Sequence, residues 1–414
     1  MLAGILIGLA AITKQEFALA GAITVTAAVV HLHRFNLKSW ISDLLFAALP
    51  AVLIALPVYG WLIGKFGWQM IVEDCHLFYT HLPASLVYYN AQRTGLDRPL
   101  LSLAQLLGAA AVAVAALSAI VLLSDRNRKV IRQSAIVLLT SGFCILVIKL
   151  IVGKQWDGSP LRALPLLLLA LMVAEWWNRK TERQSVIRNP SLFIIATYSF
   201  AILARVALRV PSGGAFGSFF LPTSLILFYY LFVRILPGVV ARWTNNEVSA
   251  HRAWLIGRSL MILMFVATGI VFGVRYRKNF NYEIATSSGH LFAPRTTGQT
   301  INEALRFIEQ STQLGETIAV FPEGSDLGFL TGRRIRQRHQ ILIPGLMSQA
   351  DERETTNQLR QDRVRYILIV NRPMREFGQE AFGRDFYTEL RGWIEANYRL
   401  AKVCGSGANA NSQI

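Results

Sequence analysis

The feature that most constrains this chain is a series of apolar runs, each close to the length of a bilayer core, filling residues 1–274. A membrane-spanning helix needs about 20 mostly apolar residues. Segments 40–64, 99–124, 134–153, 161–177, 191–210, 219–241 and 256–274 meet that requirement, and the shorter 17–30 joins them. Lipid offers no partner to a backbone N–H or C=O, so such runs fold as helices. The run 1–13 is separated from 17–30 by Thr13-Lys14-Gln15-Glu16, which predicts a tight hairpin or kinked helix rather than two full spans. Gly4 and Gly8 carry the small-xxx-small spacing that permits close helix packing. Composition agrees: 53% of residues are apolar and only 16% charged, against about 25% charged in soluble proteins. An ordinary soluble enzyme and a disordered chain are both excluded.

Charge divides the chain. Residues 1–274 hold 10 of the 25 acidic groups and residues 275–414 hold the other 15, so a membrane bundle is followed by a water-soluble region. The net charge of +17 sits mostly in short gaps between apolar runs, which argues against nucleic acid as a partner. The gaps 31–39, 125–133, 178–190 and 241–258 carry thirteen Lys and Arg; 65–98, 153–160 and 211–218 carry four. The positive-inside rule places the first set in the cytoplasm. The loop 65–98, the turn 211–218, the Lys14/Glu16 break and the tail 275–414 are then extracytoplasmic. Met1–Ala11 has no basic lead and does not read as a signal peptide.

The tail alternates helical and strand patterns. Helices are predicted at 299–313, 349–362 and 382–397, and strands at Thr317–Phe321, Gln340–Ile343, Val364–Val370 and Leu400–Val403. Alternation of this kind predicts a small α/β domain over 275–404 with a mainly parallel sheet, and a disordered end over 405–414. The fold class is thus an α-helical polytopic membrane protein with a C-terminal extracytoplasmic α/β domain.

Metal and nucleophile signatures are absent: no HExxH, no GxSxG and no cysteine–histidine cluster. No cofactor is assigned, and the residues leave a divalent metal open. Cys75, Cys144 and Cys404 form an odd set without CxxC spacing, which favours no disulfide. His31 and His33 read as solvated groups in a cytoplasmic turn. More informative are Lys149, Lys154, Arg162, Arg205 and Arg209, which map to the extracytoplasmic ends of spans. Arg205 and Arg209, four apart, share a helical face. Intramembrane ions are expensive and face a cavity or a partner, unless they snorkel to headgroups. Acidic residues at that level are few: Glu16, Glu73, Asp74 and Asp157. A surplus of cations suits an anionic ligand such as a lipid phosphate. The loop 65–98 adds aromatic rings with Asp74, His76 and His81, suited to a sugar or to an interfacial belt. In the tail, Phe321-Pro322-Glu323-Gly324 and Thr331-Gly332-Arg333-Arg334 follow a predicted strand. Arg333 there is a candidate phosphate or membrane contact, with a plain structural turn as the alternative.

These segments resemble a known family. GLAAITKQEFALA near the N-terminus resembles the GLAxxTKxxxLL segment of GT-C glycosyltransferases, and SPLRALPLLLLAL (159–171) is similar to that group's Arg-x-x-Pro helix start, at Arg162 and Pro165. The tail resembles the extracytoplasmic domain of bacterial members through ETIAVFPEG, FLTGRR, VRYILIVNR and FGRDF. The resemblance implies a GT-C-like bundle that takes sugar from a polyprenyl-phosphate donor. The acceptor is extracytoplasmic (a glycan, lipid or protein), and cations stabilise the departing lipid phosphate. It carries Lys14 and Arg162 over as donor-site residues. It also implies an acidic catalytic loop ahead of Met1, so the chain corresponds to the greater, C-terminal part of a member; Asp74 does not match that loop. Set against it is a non-catalytic reading, a transporter or lipid-binding scaffold displaying the tail.

Overall fold

The computed structural model describes residues 1–33, 36–72, 82–124, 162–180, 190–210, 221–286 and 289–405. They form two compact units: Met1–Thr80 with Ala91–Gly269, and His81–Asn90 with Ile270–Ile414.

In the first unit, α1 (Leu2–Thr13) and α2 (Gln15–His33) are separated at Lys14, whose backbone is extended at φ −152°. The expected break is there, but α2 alone is long and apolar enough to cross a membrane. Both helices pack on α3 (Leu37–Phe66). Gly4 and Gly8 make that approach possible. A Cβ on Gly4 would collide with the Ala47 carbonyl, and one on Gly8 would lie 2.9 Å from the Ala51 carbonyl oxygen. The other face of α3 is bare: the helix has no buried residue, and Leu45, Phe46, Leu49, Val52, Leu53 and Leu56 are all exposed. An apolar helix of this length, unburied by protein, is what a bilayer accommodates. A third candidate span lies within Ala84–Leu123, so three of the described helices are long and apolar enough to cross a membrane.

The remaining helices are α4 (Trp68–Val72), α5 (Ala84–Thr94), α6 (Pro99–Ser124), α7 (Leu164–Lys180), α8 (Pro190–Leu203), α9 (Leu221–Tyr230), α10 (Leu236–Thr244) and α11 (Glu247–Asn279). The expected span 134–153 lies outside the described residues. α8 is the central helix of this unit, packed on α2, α7 and α9. Its Leu192, Ala196 and Leu203 meet Ile120, Leu168 and Leu227 in the core. It ends earlier than 210, in a 3₁₀ turn at Ala204–Val206. The run 219–241 is likewise not one regular helix. α9 and α10 are joined through a π turn, Leu231–Ile235, just ahead of Pro237. Proline has no N–H to give and crowds the preceding turn, which a widened turn relieves.

In the second unit, β1 (Tyr282–Thr286) and β2 (Gly289–Ala293) form an antiparallel hairpin. Then follow α12 (Arg295–Ser311), β3 (Ala319–Phe321), α13 (Asp326–Thr331), α14 (Gln349–Gln361), β4 (Ile367–Ile369) and α15 (Thr388–Asn397). β3 and β4 pair in parallel, with Val320 opposite Leu368. Ile308, Ile318, Leu330 and Leu368 close the core around them.

Several expectations are corrected. Gln340–Ile343 is not a strand: Leu342 donates one bond to the Pro322 carbonyl, and Pro344 ends any ladder. Leu400–Val403 is not a strand either, with Leu400 and Val403 exposed. The helix expected from 382 starts only at Thr388, because Gly383 and Tyr387 take left-handed backbone at φ 81° and 55°. The hairpin β1–β2 had no sequence forecast. Nor is the division simply at 274, since His81–Asn90 belongs to the second unit. There Tyr89 stacks on Phe377 at 4.8 Å, and the Ser85 hydroxyl donates to the Pro344 carbonyl.

Candidate functional site

The expected cations among the described residues of the first unit take part in three separate polar contacts, around Glu16, around Asp97 and at Gln105. Lys14 sits at the α1–α2 break, which is fixed against α3: Tyr59 Oη donates to the Ala11 carbonyl at 2.8 Å, and Gln15 Nε2 donates to Tyr59 Oη at 3.3 Å. Lys14 Nζ is 3.6 Å from Glu16 and 5.3 Å from the centre of the Phe17 ring. The same Glu16 carboxylate pairs with Arg205, carried on the 3₁₀ turn after α8. Glu16 therefore organises two cations.

Four residues on, Arg209 donates to the Gln92 carbonyl in the last turn of α5 and lies 3.7 Å from Asp97. A cation at a helix C-terminus complements its unsatisfied carbonyls. Gly95 ends that helix at φ 84°, as the turn requires. It is also pressed close: a Cβ there would lie 2.9 Å from Ser102 Oγ and 3.1 Å from Arg209 Cβ. One helical turn beyond Ser102, Gln105 accepts a hydrogen bond from Arg162 Nη1. Arg162 is only 7% exposed. Its Nε has no hydrogen-bond partner among the described residues, so a buried guanidinium keeps donor capacity in hand.

Among the described residues, Lys14 and Arg205 thus share Glu16 and Arg209 pairs with Asp97, while Arg162 bonds the neutral Gln105 amide. Asp97, Gln92 and Gln105 were not anticipated. Gln105 had a signal: with Ser102 it puts two polar residues, three apart, on one face of an apolar run.

Other expected sites fare differently. Asp74 and His76, with His81, lie outside the described residues, as do Lys149, Lys154 and Asp157. Arg333 belongs to the second unit and is absorbed structurally. Its Nε donates to Thr312 Oγ1 at 2.9 Å, and Nη2 donates to the carbonyls of Thr312 at 2.6 Å and Glu309 at 3.3 Å. Nη1 bonds the Thr331 carbonyl. The guanidinium caps the end of α12 and joins it to α13, which a basic helix end favours. Glu323 pairs with Arg372, which also holds Glu376 at 2.8 Å. His31 corrects its expectation as a solvated group. It is 5% exposed and stacked 4.3 Å from Phe193, with Trp176 at 5.7 Å. His33 pairs with Asp43 at 2.7 Å. Among the described residues, no three ligand-type side chains cluster as a metal centre would require.

No protein family, no curated protein and no solved structure matches this chain.

Proposed function

We propose that this chain acts as a membrane glycosyltransferase, or as part of one, moving a sugar from a polyprenyl-phosphate donor to an extracytoplasmic acceptor. The observation that supports this reading is the buried Arg162, held by Gln105, in a bundle that also carries Lys14, Arg205 and Arg209 with Glu16 and Asp97 as their carboxylate partners among the described residues. In such a reaction an acceptor hydroxyl attacks the anomeric carbon, the bond from that carbon to the phosphate oxygen breaks, and negative charge collects on the lipid phosphate. Fixed cations in a water-poor site stabilise that developing charge more than they do the bound donor. Arg162 is the foremost candidate because it is buried, oriented by Gln105 and still able to donate. Lys14, Arg205 and Arg209 add positive charge elsewhere in the same unit, and membrane lipids supply the setting.

Glu16 pairs with Lys14 and Arg205, and Asp97 with Arg209. No residue is assigned as base for the acceptor hydroxyl. Helix discontinuities at Ala204–Val206 and Leu231–Ile235 also fit a second reading, a lipid-binding or transport protein without chemistry. The two part on turnover. The purified chain in lipid nanodiscs is given a panel of radiolabelled polyprenyl-phosphate sugars with acceptor lipids and glycans. Label transferred to acceptor, with release of the lipid phosphate, supports the transferase. Donor binding with no transfer or release across the panel supports the second reading.

A further inference from the structure

We propose that the second unit carries a membrane-docking tip, formed by Leu314 and Phe329 with a cationic edge at Arg334, Arg336 and Arg338, whose occupant is a lipid bilayer bearing anionic headgroups. The two apolar side chains are 82% and 73% exposed, on a unit that has its own closed core. Single exposed apolar residues are common and need no explanation. These two project from neighbouring turns that are tied to each other. Gly315 N–H donates to the Gly332 carbonyl at 3.0 Å, and Gly332 N–H donates to the Phe329 carbonyl at 3.2 Å. Both glycines have positive φ, 77° and 67°, and Leu314 lies so close over Gly332 that a Cβ there would come within 2.8 Å of it. Arg333 clamps the base of both turns through Thr312, Glu309 and Thr331. The tip is therefore a preorganised pair of apolar side chains.

Beside it the chain alternates. Ile335 and Gln337 turn inward, Ile335 toward Gly328 and Gln337 onto Val320 at 2.8 Å, while Arg334, Arg336 and Arg338 are exposed. Apolar side chains flanked by surface arginines are suited to the headgroup boundary of an anionic membrane. The partner is within reach by connectivity. The strand β1 opens at Tyr282, three residues after the end of α11, whose run 256–274 is apolar enough for lipid. A tethered domain meets the bilayer at high effective concentration, so weak docking suffices. The inference does not depend on sugar transfer.

The test uses the full chain with its three cysteines replaced by serine. A single cysteine is then placed as Leu314→Cys, Phe329→Cys or, as a control at an exposed apolar site elsewhere on the unit, Leu400→Cys. Each is labelled with an environment-sensitive fluorophore and reconstituted into nanodiscs of phosphatidylcholine, with or without phosphatidylglycerol, containing spin-labelled lipid. The expected result is a blue shift and several-fold stronger quenching at 314 and 329 than at 400, greater with phosphatidylglycerol. R334Q/R338Q, which spares the Arg336–Asp362 pair at 3.2 Å, should reduce the lipid-charge dependence and leave the purified chain's melting temperature unchanged. Labels at 314 and 329 that stay in water in both compositions overturn the proposal. So does a blue shift without lipid quenching that grows with the number of chains per disc, which would assign the tip to a second copy.

Discussion

The two units solve opposite problems with the same residue types. In the bundle, apolar side chains face outward along α3 while Arg162, Glu175 and His31 are buried. In the tail, apolar side chains close a core around β3 and β4, and most ion pairs are at the surface, as with Arg384–Asp385 and Arg353–Glu389. An arginine therefore means something different in each. Arg162 is held in an apolar bundle by one amide and keeps a donor in reserve; Arg333 spends its donors on backbone carbonyls and a hydroxyl to fasten a helix end. The proposed lipid-phosphate role draws on the first arrangement; the second makes Arg333 a structural pin.

The largest expected effect tests the bundle's packing. Gly4→Leu drives a side chain into the Ala47 carbonyl, which cannot move as a side chain would, and should cost about 3 kcal/mol, the upper end for overpacking. Gly64→Leu, on α3 with nothing near its Cβ position, should change stability by less than about 0.5 kcal/mol. Denaturation in mixed micelles compares the two, and equal losses would break the assignment of the outward face of α3 to lipid.

Next comes the contrast between the arginines. Arg162→Ala should weaken binding of a polyprenyl phosphate by about 1.5–3 kcal/mol, the range for a bond to a charged group. Arg333→Ala should leave that binding unchanged and lower the stability of the tail by about 1–2 kcal/mol, the scale of lost capping bonds. Isothermal titration and domain-resolved hydrogen exchange read the pair.

A smaller effect sharpens the tail's side of the comparison. Glu352, buried on α14, accepts the Leu390 N–H in the first turn of α15 at 2.9 Å. Glu352→Ala should cost about 1–2 kcal/mol as the loss of a helix cap, seen as faster amide exchange in α15. The smallest effect is pH-dependent. The Asp385 carboxyl is held well below the usual carboxylate range, first by the side-chain bond from Arg384, then by the Ala381 and Glu380 N–H groups. A depressed folded value contributes stability that is present above the unfolded value, about 3.9, and lost as pH falls through the folded one. Amide exchange at Ala381 should accelerate across that acid window, and Asp385→Asn should flatten the profile.

Much of the bundle was legible because lipid allows few structures. Runs of sufficient length appear as α3 and α6, and the polar Thr13–Glu16 interruption appears as a real helix break. The spacing of Gly4 and Gly8 likewise forecast their packing. The site was legible only from its charges. Arg162, Arg205 and Arg209 stood out as ions in apolar sequence, whereas Gln92 contributes a carbonyl, which carries no residue signature. His31 was misread because a histidine near a helix end beside Arg34 looks solvated, and its aromatic neighbours Trp176 and Phe193 come from distant sequence. Of the tail's expected strands, Thr317–Phe321 and Val364–Val370 contain β3 and β4, whereas Gln340–Ile343 runs into Pro344 and Leu400–Val403 is exposed at both ends and unpaired.

The proposal for the bundle is that Arg162, with the other cations of that unit, seats a phosphorylated lipid. Its most direct measurement is competition by native mass spectrometry between a polyprenyl phosphate and the matching polyprenol on the purified full-length chain. The account predicts retention of the phosphate form over the alcohol by at least about tenfold, the equivalent of one charge-assisted bond, with the preference lost in Arg162→Ala. Equal retention of the two lipids, or a preference untouched by that substitution, would contradict it.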